Sequence, residues 1–269
     1  MSPLIRLPLL LVIALTGFAA PVLAQGFTPH RAVYDLDVMD KPKATTFSQV
    51  DGRMVYEFDM TCERLLYSHR MLMNLVTQQG QSIRSEAVVS FLESRDGRDM
   101  RFSVRESYNG LVTSHREGTV KRGAIDAPAT VTYSRNEGEE KDTAPDSLPR
   151  GTLFPLGHSI DMVRAAVAGE IFHNARTFDG DDVSFVDTFI SKDKGAREES
   201  LPEVMQETPA WIMRVAFYRP EAIDSAPYYE SQMRMFANGV SGSFTMETDN
   251  LSAIARLTEL ELRERPVCD

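Results

Sequence analysis

Cysteine is scarce in these 269 residues: Cys62 and Cys268 are the whole supply, and no Cys-x-x-Cys links two of them. A local dithiol redox motif is therefore excluded. Basic charge is short as well, with 29 Lys+Arg against 39 Asp+Glu for a net charge of −10. That balance argues against broad nucleic-acid binding and against an electrostatic grip on anionic lipid. Beyond the first 20 residues no run of about 20 apolar residues occurs, so no transmembrane segment is expected in the mature chain. Catalytic signatures are missing too. Gly239-Val-Ser-Gly-Ser243 lacks the spacing of a nucleophile elbow, and there is no His-Glu-x-x-His or Walker A run. The five histidines, at 30, 69, 115, 158 and 173, are scattered. His115 and His173 sit in strand alternation, where a satisfied structural histidine is expected. No catalytic residue, cofactor or metal is expected.

What is present begins with a leader. Arg6 precedes an apolar run from Leu7 to about Ala20, and Val22 and Ala24 stand at −3 and −1 of a cleavage point. This reads as a secretory signal peptide over residues 1–24. Its removal takes Arg6 and no acidic residue, leaving 28 basic against 39 acidic residues, or −11. In a Gram-negative host the address is the periplasm. Two cysteines in an oxidising compartment usually pair, so Cys62 and Cys268 read as a staple closing nearly the whole mature chain. Two unpaired buried thiols are the alternative.

Period-two alternation broken by turn dipeptides dominates the rest. Ala32, Tyr34, Leu36 and Val38 share one strand face; Leu65, Tyr67, His69, Met71, Met73 and Leu75 share another. Asp51-Gly52, Gln79-Gly80, Asp96-Gly97, Asn109-Gly110, Asp179-Gly180 and Asn238-Gly239 read as turns. Residues 134–150 and 192–209 read as two long loops. One helix stands out: Ser159 as its cap, Ile160, Val163 and Val167 on one face, and Gly169 at its end. Before it, Gly151 to His158 is apolar and broken by Pro and Gly, as a buried approach would be. The expectation is a mainly β chain in which some 12–14 antiparallel strands, over residues 25–269, curl into a spiral or open barrel around the helix. A sheet that long cannot stay flat without exposing edges and an apolar face.

Two acidic groupings carry little chemistry. Asp179-Gly-Asp-Asp182 has clustered oxygens but lacks the later bidentate Glu of a calcium loop and sits where a turn belongs. Asp35 and Asp37 share the solvent face of their strand. The methionines say more. Met71 with Met73, and Met233 with Met235, each place two thioethers on one face. Without an extended Met/His run, a Cu(I) site is not the reading. Core filling is the plain one. The sharper one is an adaptable apolar cavity for a lipid-like ligand, lined by Met71, Met73, Trp211, Met213, Met233 and Met235 and plugged by Ile160, Val163 and Val167.

These pieces stand in a recognisable order. It runs His30-Arg-Ala-Val-Tyr-Asp-Leu36, Arg53-Met-Val-Tyr-Glu-Phe58 with Thr61-Cys62-Glu63, Ser90 to Gly97, Leu148-Pro-Arg-Gly-Thr-Leu-Phe-Pro155 with His158, Phe178-Asp-Gly180, Pro227-Tyr-Tyr-Glu-Ser231, Asn238-Gly-Val240 and a terminal Cys. The mature chain resembles the EipB-like cell-envelope-integrity family of bacterial periplasmic proteins, catalogued as a domain of unknown function. The resemblance implies one periplasmic domain with a long antiparallel sheet spiralling around a helix, and a Cys62–Cys268 disulfide. It also implies a role in envelope maintenance without established catalytic residues. The leading functional expectation is a non-enzymatic factor that binds a partner protein or envelope component. The second is a carrier for a lipid or lipoprotein acyl chain. A hydrolase of envelope polymers comes third.

Overall fold

The computed structural model describes residues 26–44, 46–138, 144–195, 201–220 and 226–268. The leader lies outside them, as do residues 139–143 and 196–200 of the two charged loops. Among the described residues, fifteen strands form one sheet. They are β1 (His30–Val38), β2 (Phe47–Met60), β3 (Arg64–Thr77), β4 (Ser82–Ser94), β5 (Asp99–Tyr108), β6 (Leu111–Lys121), β7 (Ala129–Gly138), β8 (Ser147–Leu148), β9 (Thr152–Leu153), β10 (Phe172–Phe178), β11 (Val183–Lys192), β12 (Ala210–Tyr218), β13 (Tyr229–Phe236), β14 (Ser241–Glu247) and β15 (Ser252–Leu262). Helix α1 (Pro155–Ala168) connects β9 to β10, and α2 (Glu203–Glu207) lies between β11 and β12.

The spatial order is β8-β7-β6-β5-β4-β3-β2-β1-β15-β14-β13-β12-β11-β10-β9. Sequence neighbours are therefore sheet neighbours except β8 and β9, which form the two edges, and β1 pairs with β15 where the chain's two ends meet. Pairing is antiparallel except between β9 and β10, where the chain crosses over through α1. The two sheet edges, β8 and β9, are joined by Pro149-Arg150-Gly151 alone. A flat sheet of this many strands would hold its edges roughly 65–70 Å apart. That link reaches at most about 14 Å. The sheet must curl, and it forms a nearly closed barrel with its seam at β8 and β9. Arg122, buried at the seam, donates to Gly97 O (2.7 Å) and to Thr152 O (2.8 Å) and lies 4.5 Å over the Phe154 ring.

Five of the six turn dipeptides turn the chain. Asn109 (φ 51°) and Gly110 (φ 81°) are both left-handed, as a tight hairpin of this kind requires. Asp51-Gly52 does not turn, and here the sequence reading is corrected: β2 runs straight through it for 14 residues. Gly52 pairs with Leu36 on one side and Met73 on the other. A Cβ there would stand 2.3 Å from Leu72 O and 3.0 Å from Met73 Cα. This glycine serves close backbone approach, the other use of glycine in a strand.

The helix is also corrected. It starts four residues before Ser159, with Phe154 as N-cap and Pro155 in the first turn, where a missing N–H costs nothing. Ser159 instead donates back to Pro155 O at 3.0 Å. Gly169 closes α1 in the left-handed region (φ 85°). The second long loop contains α2, whose Met205 is fully buried and whose flanking Leu201 is buried with it.

Inside the barrel lie three apolar clusters. The first gathers Tyr34, Leu36, Val50, Met73 and Leu257 with Leu201 and Met205. The second joins α1, through Leu156, Met162 and Val163, to Phe58, Ile190, Trp211, Met213 and Met235. The third holds Phe91, Met100, Phe102, Val120, Phe154 and Phe178 near the seam.

Candidate functional site in the barrel lumen

Alternation along β4 sends Ser85, Ala87, Val89, Phe91 and Glu93 to the same inner face. Glu93 is thus a carboxylate inside the barrel, 2% exposed. Its two oxygens accept the N–H groups of Leu156 (2.7 Å) and Gly157 (3.1 Å). These are free donors of the first turn of α1, at the positive end of the helix dipole. Glu93 therefore caps α1 from across the lumen. Burial pushes its carboxyl up to about 7, while the two N–H donors and nearby Arg122 pull the other way.

Between the three clusters the inner wall is only half-buried. Tyr56 touches the first and second clusters, and Tyr67 the second and third. His69, Met71, Val89, Phe217, Tyr229 and Met233 face inward on their strands and also keep accessible surface. Burial drives His69 down to about 4 and raises the Tyr67 hydroxyl well above its usual value. The Tyr67 hydroxyl is hydrogen-bonded to Nδ1 of the uncharged His69 ring. Tyr56 and Tyr67 meet edge to face at 5.0 Å, and Tyr67 stacks on Phe91 at 5.4 Å. The result is an amphipathic aromatic wall.

The structure does not gather the six proposed lining residues around one space. Met73 is packed in the first cluster; Trp211, Met213 and Met235 are packed in the second. Met71 and Met233 alone keep surface open to the lumen. In the helix, Val163 is buried and Ile160 half-buried, but Val167 is 42% exposed. Because α1 starts early, its packed stripe runs through Leu156, Met162, Val163 and Ala166 and leaves Val167 at the solvent end.

Cys62 and Cys268 form a disulfide across 206 positions of sequence. Asp35 and Asp37 are exposed and line a shallow outer groove of about 580 Å³ with Asp51, Arg53, Asn74 and Arg256. The Asp179–Asp182 turn, between β10 and β11, packs against β5 and β6. Asp181 pairs with buried Arg116, and Gly180 seats against Phe102 and Val104. Burial pushes Asp179 up to about 6. Among the described residues, no three His, Cys, Asp or Glu side chains group as a metal site, and no helix is long and apolar enough to cross a membrane.

The EipB-like family matches residues 22–264. The chain belongs to the EipB-like family. The cell envelope integrity protein EipB of Brucella abortus (strain 2308) is 25% identical to it over 255 residues, covering 91% of this chain and 88% of the relative. A crystal structure of a β-barrel-like protein of a domain of unknown function (DUF1849), also from Brucella abortus, has a TM-score of 0.77 at 23% identity. It covers 89% of this chain and 99% of that one. That likeness concerns the fold.

Two groups of this EipB-like chain escaped the sequence reading. Glu93 carried a signal: it falls in phase with Val89 and Phe91, an acidic residue on an inward face. Arg122 carried none, because it follows the end of β6 and its partners come from other parts of the chain.

Proposed function

We propose that this chain is an exported periplasmic protein that supports cell envelope integrity as a non-enzymatic binding protein, taking an apolar chain of an envelope component into its lumen. The half-open inner wall of Tyr56, Tyr67, Met71, Phe217, Tyr229 and Met233 carries the reading. Aromatic rings and thioethers shape themselves to an acyl chain, and the Tyr and His heads offer a few polar contacts to its end. The relative's role in envelope integrity and the signal-peptide pattern of residues 1–24 support the setting.

A second reading, a docking protein, is favoured by an exposed apolar patch. Val167 and Ile171 (69% exposed) lie beside the cross-strand pair Phe172 and Phe189 on the outer face. One experiment separates the two. Protein purified from its own periplasm is examined by native mass spectrometry and titrated with a fluorescent fatty acid, in wild-type form and as Tyr67→Ala. Binding at micromolar concentration, weakened at least tenfold in Tyr67→Ala, is expected. No co-purified lipid and no saturable binding reject the carrier. A co-purified protein lost on Phe172→Ser selects the docking surface.

A further inference from the structure

We propose that α1 and β10 together form a binding site for a soft monovalent metal ion, Cu(I), held by His158, His173 and the thioether of Met162. His158 is 6% exposed and faces the barrel interior from α1. His173 lies on the inner face of β10. The two rings stand 5.9 Å apart and nearly parallel, at 23°. Both Nε2 atoms are shut away from solvent and have no hydrogen-bond partner. Buried polar atoms are ordinarily satisfied, so two orphaned imidazole nitrogens in one place call for an explanation. Two such nitrogens bound to one ion at about 2 Å each set their ring centroids roughly 5–6 Å apart.

The third donor comes from helix geometry. Met162 is four residues after His158 and shares its face of α1. Its Sδ accepts the Thr188 hydroxyl at 3.4 Å. Thr188 is the direct cross-strand partner of His173. The sulfur thus reaches the strand position beside the second imidazole.

The donor set selects the ion. The thioether sulfur is soft, imidazole nitrogen is a good copper ligand, and both are uncharged, which suits Cu(I). Among the described residues no carboxylate completes a cluster with the two histidines. A divalent ion would bring two uncompensated charges into the barrel interior, and a monovalent ion only one. This site differs from the Met71, Met73, Met233 and Met235 faces, and it does not depend on a lipid occupying the lumen.

The test uses the full mature chain, titrated anaerobically with Cu(I) against the chelator bathocuproine disulfonate. One Cu(I) per chain is expected to stay with the wild type. Met162→Leu, which keeps side-chain volume, should hold it at least tenfold more weakly with an unchanged melting midpoint. His158→Gln should lose it. Ag(I), a redox-inert probe, should shift the wild-type His158 and His173 ring ¹⁵N resonances. The proposal is overturned if the chelator strips the wild type completely, if Met162→Leu and His158→Gln both retain Cu(I) like the wild type, or if Ag(I) leaves both ring resonances unmoved.

Discussion

Glu93 shows how one residue joins the barrel wall to its contents. Its carboxylate is held inside the sheet because two backbone donors of α1 have no other partner. Burial raises its pKa to about 7 from an ordinary value of 4.5. The folded chain therefore keeps a proton on Glu93 that the unfolded chain gives up above pH 4.5. The stability this proton contributes is full below about pH 4.5 and is lost as pH rises through 7. Its size is about 3 kcal/mol at one unit per 1.36 kcal/mol. His69 and His158, lowered by burial to about 4 and about 3, act in the opposite direction. The informative measurement is thus a difference. Glu93→Gln, compared with wild type by denaturant unfolding at pH 4.5 and pH 8, should gain up to about 3 kcal/mol relative to wild type on going to the higher pH. A gap that does not change with pH would place the proton elsewhere.

At the scale of the element, β2 is the instructive case. Asp-Gly between alternating runs is a strong hairpin pattern, yet here 14 residues stay extended, paired with β3 from Phe47 to Met60 and with β1 from Asp51 to Phe58. Local propensity lost to two flanking ladders, which hydrogen-bond alternate residues of β2 on either side of Gly52. The same neighbours leave no room beside Gly52. Gly52→Ala should lower stability by about 1–3 kcal/mol through forced backbone displacement, read as a lower denaturation midpoint. An unaltered midpoint would show that β2 and β3 can part without cost. Helix α1 teaches a related lesson. Ser159 offered a familiar cap, but Pro155 in the first turn and Glu93 across the lumen supply a start one turn earlier.

For the whole molecule, closure is the governing fact. The disulfide does not bridge the seam. Cys62 follows β2, Cys268 follows β15, and β1 lies between those two strands. The bond ties the chain's ends together in the middle of the sheet, opposite in topology to the β8–β9 edges. Its entropic effect on the unfolded chain, for a separation of 206 residues, is at most about 5 kcal/mol. Cys62→Ser should therefore lower the melting midpoint under non-reducing conditions and speed proteolysis of the C-terminal segment. An equal midpoint would mean that the β1–β15 ladder alone secures the termini.

The sequence by itself determined the strand-rich build, five of the turns, the helix with its Gly169 end, and the two cysteines that pair. Each of these is written in residues close together or in a residue type too scarce to have another partner. Tertiary structure alone decided that Asp51-Gly52 stays extended, that Glu93 caps α1 from 63 positions away, that Met73 and Met213 belong to different clusters, and that His158 meets His173. Those outcomes depend on which strands become neighbours when the sheet curls. Period-two alternation states which face a residue takes, but closure of the barrel decides what that face meets.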